Sequence, residues 1–565
     1  MEKTRDNWSS RVTFIFAAIG SAVGLGNAWR FPGLAAQYGG GAFLLVFFLA
    51  MIILGWPLLC MEIALGRKTQ KGVPSAMYSM NKKFEFVGWA SVANAFIIVC
   101  YYTVILAWVI VMIFKSFKLG AMDTTQAGGM FLNEVLNIKD IGAQGASDIP
   151  GSLLLALIAA WVMMYLCIRK GAKGVGKVVK YTVMIPVILL FILAVNGIVK
   201  DISVSHGAGL ATFFKPDFSK VIEQGKLANL FLDAFGQVFY SLSIMMAIMV
   251  AYGSFVDKKS DIVKDTMIIA VGDFGISMLA GIVLFTTLSG TGMLESYLAS
   301  PSGGVGTAFI VYPQAIVSLT DNAIVNGIFA LIFYLTLFTL AIDSAFSIVE
   351  GVSAAVSDKM HIEKKKTTFA ICIIAGLISI VFVMKSGLNW LDIVDNWANS
   401  FSLVLVGILE CVAVGWFFKP SKLRDEMNRT ITPFKIGKKQ FNVKIGPWYD
   451  WIIKVVSPLI LSVFMVWNIV TLIISYATGK GGYGGYPIWA QVVAGWALFV
   501  GVFVVAAIIQ IVSRKNKKIL ELDATIKSWD EMHAEDENKF ILAQMNAEMN
   551  AEMNVNATEN NAQNN

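Results

Sequence analysis

Seven ionisable side chains sit inside long apolar runs of this 565-residue chain: Arg30, Glu62, Asp273, Asp343, Glu350, Asp395 and Glu410. A charge at mid-membrane depth costs about 2.5–3.5 kcal/mol on insertion scales, so each is a candidate for handling an ion or a charged substrate. Taken singly, each reads equally well as an interhelical hydrogen bond. Two polar groupings make the set more specific. Residues 20–32 read GSAVGLGNAWRFP, where glycines, an asparagine and an arginine interrupt an apolar run. Glycine disfavours a helix by about 1 kcal/mol relative to alanine. Residues 236–255 read GQVFYSLSIMMAIMVAYGSF, with Tyr240, Ser241 and Ser243 as a polar knot. An opened helical turn exposes carbonyls that bind a cation and N–H groups that hold a carboxylate. The chemistry implied is recognition of a hard cation and a zwitterion. With no nucleophile–base pair or nucleotide-binding loop, no enzyme is expected. His206, His361 and His533 are scattered and the five cysteines lie in apolar runs, so neither a histidine metal site nor a structural disulfide is expected.

These groups need membrane helices to position them. The composition is 56% hydrophobic and 15% charged, with mean hydropathy +0.67. Twelve apolar runs are near the length of about 20 residues that spans a bilayer: 12–37, 41–66, 84–117, 152–169, 177–199, 228–255, 262–290, 324–356, 367–385, 389–418, 450–477 and 487–512. Lipid cannot satisfy a bare backbone, and barrel strands would be shorter and would alternate, so these are helices. The expected fold class is an all-α polytopic membrane protein with twelve transmembrane helices. The first run is too long for a signal peptide and lacks a cleavage site. Lysine and arginine cluster at the N-terminus and within 67–71, 169–180, 258–264, 359–366 and 419–444, whereas 119–150 and 291–322 are poor in them. That asymmetry puts both termini on the cytoplasmic side of the cell membrane. It also accounts for the net charge of +7 without any nucleic acid. Weakened helices at matching positions of two halves point to an inverted-repeat transporter. The expected division is a cytoplasmic N-terminus (1–11), five-helix repeats (12–199 and 200–418), two last helices (419–512) and a largely disordered cytoplasmic tail (513–565).

The 20–32 block does not stand alone. With GGGAF at 39–43, GWPLLCMEIALGR at 55–67, the tyrosine pair 101–102, GQVFYSLS, AIDSAFSIVEG at 341–351 and LDIVDNWANS at 391–400, it resembles the neurotransmitter:sodium symporter family across residues 5–420. The resemblance implies a LeuT-type inverted 5+5 repeat plus two helices, with two sodium ions and no organic cofactor. One ion would be held by the Ala22 carbonyl, Asn27, Ser241 and Asp273. The other would be held by the Gly20, Val23 and Leu340 carbonyls with Asp343 and Ser344. The substrate pocket would comprise Ser21, Ala22, Gly24, Leu25, Gly26, Ile98, Tyr102, Tyr240, Ser241, Ser243, Met246, Ser344 and Ile348. Arg30 and Asp395 would form an outer gate over Tyr102 and Tyr240. Arg5 and Asp358 would form an inner gate near Trp8, Ser254 and Phe255. Glu62 would brace the opened turns. Gly176 and Pro186, with nine residues between them, would mark where the fifth span unwinds. Members that carry amines have an aspartate at the Gly24 position, so glycine here favours an α-amino acid.

Three positions depart from the family pattern. Met245-Met246-Ala247 replaces a Gly-aromatic-Gly, Phe47 replaces the tyrosine of chloride-dependent members, and Asp273 replaces an asparagine. The expected function is sodium-coupled, chloride-independent import of an α-amino acid, hydrophobic or aromatic. Its partners would be that small molecule and the lipid bilayer, with no obligate protein partner. A proton-coupled amino-acid permease of the same fold and a non-transporting amino-acid sensor are the alternatives.

Overall fold

The computed structural model describes residues 7–141, 148–169, 171–436 and 439–538. Helix α1 (Arg11–Ala22) starts at Ser10, whose Oγ accepts the Thr13 N–H at 3.2 Å, satisfying a donor that the first turn leaves open. It stops because Val23 is extended, with φ −80° and ψ 103°. The Gly24 N–H, which a continuing helix would give to the Gly20 carbonyl, goes instead to Asn27 Oδ1 at 3.0 Å. Helix α2 (Gly26–Gln37) then leaves at 51° to α1.

The chain continues through α3 (Gly41–Thr69), α4 (Lys82–Gly120) and α5 (Gly151–Ile168). The fifth expected span is interrupted at Val183, between α6 (Ala172–Thr182) and α7 (Met184–Ser205). Pro186 accounts for the junction, since it has no N–H to give the Thr182 carbonyl four residues earlier. Gly176 is buried within α6. The sixth expected span is divided into α8 (Leu227–Leu242) and α9 (Ile248–Gly253). Between them, Ser243, Met245 and Ala247 have φ of 52°, 64° and 62° although none is glycine. Six long helices follow: α10 (Ile262–Gly290), α11 (Ala323–Met360), α12 (Lys364–Val383), α13 (Gly387–Phe418), α14 (Trp448–Ala477) and α15 (Ile488–Lys515). A two-stranded antiparallel ribbon, β1 (Phe434–Ile436) with β2 (Lys439–Phe441), lies between α13 and α14.

Counting Gly174–Ser205 as one, ten helices among the described residues are long and apolar enough to cross a membrane, and the α1–α2 pair raises this to eleven. The expected count is twelve. The difference is the α8–α9 segment, whose break leaves neither half long enough. The most apolar window of α4 is 78% buried, against 11% for α14 and 17% for α15. The third span is therefore the central post, and the last two helices turn apolar side chains outward at the periphery.

The segment after α15 differs from the disordered tail that its composition suggests. It forms α16 (Lys517–Asp523) and is helical again over 529–538, while 539–565 lies outside the described residues. Two buried lysines explain the docking. Lys359, fully buried near the end of α11, meets Asp523 at 2.6 Å and Glu85 at 3.2 Å. Lys68, fully buried near the end of α3, meets Glu426 at 3.0 Å and Asp536 at 2.8 Å. Trp529, 2% exposed, packs edge-on against Phe418 with centroids 5.0 Å apart. A few acids and one tryptophan suffice, because a buried ammonium left unpaired is strongly destabilising.

Burial pushes the Asp536 carboxyl up, but the Lys68 ammonium outweighs it and leaves the group below the ordinary carboxylate range. A depressed folded pKa gives stability that is present above the unfolded value of about 4 and lost as pH falls through the folded value. A spin label replacing Glu537 should therefore be immobile near neutral pH and mobile at a pH well below about 4. With Asp536→Asn it should be mobile at both.

Candidate substrate and ion site

The two breaks face each other across a small cavity. Its walls are Ser21, Ala22, Gly24, Leu25, Gly26, Asn27, Ile98, Tyr102, Tyr240, Ser243, Met246, Ser344 and Ile348. Every expected pocket residue is among them except Ser241, whose place is taken by Asn27. The glycines are needed for close approach. A Cβ on Gly24 would lie 2.6 Å from Ser344 Oγ and 3.1 Å from Tyr102 Oη, and one on Gly26 would lie 2.4 Å from the Tyr240 ring. The breaks are also tied together, since Ser243 Oγ donates to the Ser21 carbonyl at 2.8 Å.

Asn27 Nδ2 lies 2.8 Å from Ser241 Oγ, 2.7 Å from Asp273 Oδ1 and 2.8 Å from Ser277 Oγ. An amide offers two N–H groups, so three converging oxygens exceed what it can satisfy. Ser241 Oγ is also within 2.6 Å of Asp273 Oδ2. This oxygen-rich, anionic cluster has the chemistry a hard cation requires. On the other flank, Asp343 is buried and its Oδ1 has no protein partner. A Cβ on Gly20 would fall 2.8 Å from Asp343 Oδ2 and 2.6 Å from Val183 Cγ2. Ser344 Oγ lies 3.4 Å from both the Ser21 and Leu340 carbonyls. Gly20 and Val23 adjoin, where the helix has released its carbonyls. A buried carboxylate oxygen without a donor fits a cation there too.

Above Tyr240 a wider vestibule is lined by Trp29, Arg30, Asp392, Asp395 and Asn399, with Tyr483 and Tyr486 at its rim. The Arg30 guanidinium stands 5.5 Å from the Tyr240 ring centroid. Arg30 and Asp395 share the vestibule without an ion pair within 4.0 Å, and Asp395 accepts instead from Asn399 Nδ2 at 2.8 Å. On the opposite side, Trp8 donates through its ring and backbone N–H to the Tyr252 and Phe255 carbonyls, each at 3.1 Å. Asp358 accepts the Gly72 N–H at 2.6 Å. Arg5, its expected gate partner, lies outside the described residues.

Glu62 Oε1 accepts the Met245 N–H at 2.5 Å, so it touches the sixth-span break. Phe47 stacks on Phe274 at 6.0 Å and lies 5.0 Å from Phe31, in a wholly aromatic contact. Two residues have no part in the sequence reading. Thr182, whose Oγ1 donates to the Val178 carbonyl at 3.2 Å, lies beside Asp343, and Ser91 donates to the Met245 carbonyl at 2.9 Å. Ser91 had a usable signal, since 91, 98 and 102 fall on one helical face. Thr182 had a weaker one, as the residue whose carbonyl Pro186 frees.

The sequence profile described as the sodium:neurotransmitter symporter family matches residues 5–122 and 119–517. The chain belongs to this family. The symporter chain is 32% identical over 535 residues to an uncharacterized sodium-dependent transporter of Methanocaldococcus jannaschii, covering 93% of this chain and 99% of that one. It is 26% identical to the human sodium- and chloride-dependent neutral and basic amino acid transporter B(0+), covering 91% and 86%. It is also 26% identical to the sodium- and chloride-dependent taurine transporter of Bos taurus, covering 90% and 84%. The symporter is thus a multi-pass membrane transporter of a sodium-dependent family, whose members carry small molecules and are not enzymes.

Gly20→Ala would crowd Asp343 with a methyl group. Overpacking costs about 1–3 kcal/mol. The unfolding midpoint in potassium should fall by a few degrees, and the sodium concentration for half-maximal thermal stabilisation should rise about tenfold.

Proposed function

We propose that this symporter couples two sodium ions to the import of an α-amino acid with a hydrophobic or aromatic side chain. The carrying observation is the cavity between the breaks, flanked by two separate carboxylate clusters, Asp273 and Asp343. Gly24 leaves no carboxylate facing the cavity, so the substrate brings its own, which the N–H groups of the opened turn and Tyr102 would receive. Ile98, Met246 and Ile348 supply apolar wall for the side chain. The relative named for neutral and basic amino acids is consistent with this class.

Chloride is expected to be dispensable, although two of the relatives above are named chloride-dependent. Two sodium ions bring two positive charges and a zwitterion brings none, while Asp273 and Asp343 supply two negative ones. An added anion would be buried without compensation, which low dielectric disfavours. Phe47, with its aromatic neighbours, offers it no hydroxyl. With both termini cytoplasmic in the cell membrane, alternating access would carry the substrate inward, with Arg30 and Asp395 closing above the loaded site.

Uptake into proteoliposomes tests the whole reading. Amino-acid accumulation should collapse when choline replaces sodium and persist when gluconate replaces chloride. Accumulation unaffected by choline would favour a proton-coupled permease, and binding without accumulation would favour a sensor. Gly24→Asp should abolish uptake, because it sets a second carboxylate against that of the substrate. At about 4 Å and an effective dielectric near 20, that repulsion is about 4 kcal/mol.

A further inference from the structure

The sixth-span break carries a conformation that it cannot hold by itself. Ser243, Met245 and Ala247 alternate in the left-handed region at φ 52°, 64° and 62°. Side chains with a Cβ disfavour this region, and such residues persist only when their surroundings over-determine them. At Met245 the surroundings are visible on both peptide groups. Its N–H is held by Glu62 Oε1 of α3 at 2.5 Å, and its carbonyl by Ser91 Oγ of α4 at 2.9 Å. All three residues are 1% exposed or less. The Met245 side chain lodges at a bare point of α13, where a Cβ on Gly407 would lie 3.4 Å from Met245 Cγ. The next residue, Met246, is a wall of the cavity.

We propose that Ser91 is a specificity-positioning residue. By gripping the Met245 carbonyl opposite Glu62, it keeps Met245 left-handed and so fixes how far Met246 projects into the side-chain end of the substrate cavity. Ser91 touches no substrate. It acts through one residue, and its own helix is the central post of the fold, so the reference point for side-chain size is the least mobile element. Without the hydroxyl, the Met245 peptide has one buried grip instead of two. Its carbonyl then lacks a donor, and the cheapest relief is rotation of Met245 toward right-handed geometry. That rotation swings Met246 and reshapes the pocket end, leaving the ion ligands on α2, α8 and α10 in place. The inference rests on the amino-acid reading above, and its test separates the two.

The full-length protein is compared with Ser91→Ala, Ser91→Thr, Met245→Gly and the Ser91→Ala/Met245→Gly double variant. Hydrogen exchange over 243–248, in sodium chloride without amino acid, reads the clamp directly. Ser91→Ala should accelerate it about tenfold, roughly the equilibrium effect of one buried hydrogen bond, and Ser91→Thr should not. Thermal stabilisation by each of the twenty amino acids, in sodium and in potassium, reads specificity. Ser91→Ala should keep sodium-dependent stabilisation but reorder the ligands, with the ratio of apparent affinities between the largest and smallest binders changing at least fivefold. Ser91→Thr should restore the wild-type order. Glycine adopts positive φ unaided, so the Ser91→Ala change should have little further effect on exchange or ligand order in the Met245→Gly background. Unchanged exchange in Ser91→Ala overturns the proposal. So does a uniform loss for all ligands, or a double variant in which the two effects simply add. If no amino acid stabilises the wild type while exchange responds as expected, the substrate assignment has failed and the assignment of Met246 as a determinant of amino-acid side-chain size falls with it.

Discussion

A helix opened at mid-membrane leaves peptide groups that neither lipid nor its own turns can satisfy. The rest of this structure follows from how those groups are met. At the first break, Asn27 turns back to take the Gly24 N–H. At the second, Glu62 and Ser91 hold the two sides of Met245, and Ser243 reaches across to the Ser21 carbonyl. Each opened turn is thus stabilised by side chains, from its own segment at the first break and from α3 and α4 at the second. The unsatisfied remainder has the chemistry that a hard cation requires. Surplus oxygens gather around Asn27, and a carboxylate oxygen of Asp343 stands without a donor.

The same constraint sets the division of labour among helices. The most buried helix, α4, supplies Ile98 and Tyr102 to the cavity and Ser91 to the clamp. The interrupted helices supply opened backbone and the proposed ion ligands. Bulk near the breaks is removed by glycines at 20, 24 and 26, each of which would otherwise collide with Asp343, Ser344 or Tyr240. On the vestibule side, Arg30 and Asp395 face one another's space without joining, and the Tyr240 ring lies between the vestibule and the cavity. Occluding the cavity therefore requires movement of side chains already in place, with no new element.

Most of this was legible in the sequence because the signals were large. Long apolar runs give helices, misplaced glycines give breaks, and carboxylates in apolar runs give sites. The pocket walls followed from the family resemblance, and the cavity gathers them all but Ser241. What stayed hidden was smaller in energy or longer in reach. The clamp from Ser91 is one hydroxyl, whose place on the face of 98 and 102 was readable but whose bond to another helix was not, since a serine often bonds to its own backbone. Thr182 approaches Asp343 only because α6 ends at a proline-freed junction. The docking of 517–538 was invisible for a different reason. Its polar composition argues for solvation, and only the presence of fully buried Lys68 and Lys359 elsewhere in the chain reverses that.

The docked segment also bears on the order in which the molecule can be completed. Lys68 enters the chain early, yet its partners Glu426 and Asp536 are 358 and 468 positions later. Lys359 likewise waits for Asp523, 164 positions on. During synthesis these ammonium groups must stay hydrated, because burial without their acids is strongly unfavourable. Each lysine has one partner before the tail, Glu426 for Lys68 and Glu85 for Lys359, and gains its second acid only from 523–536. A chain truncated after α15 would keep one acid beside each buried lysine and lose the other. The last described segment thus finishes two buried charge clusters that the membrane helices begin.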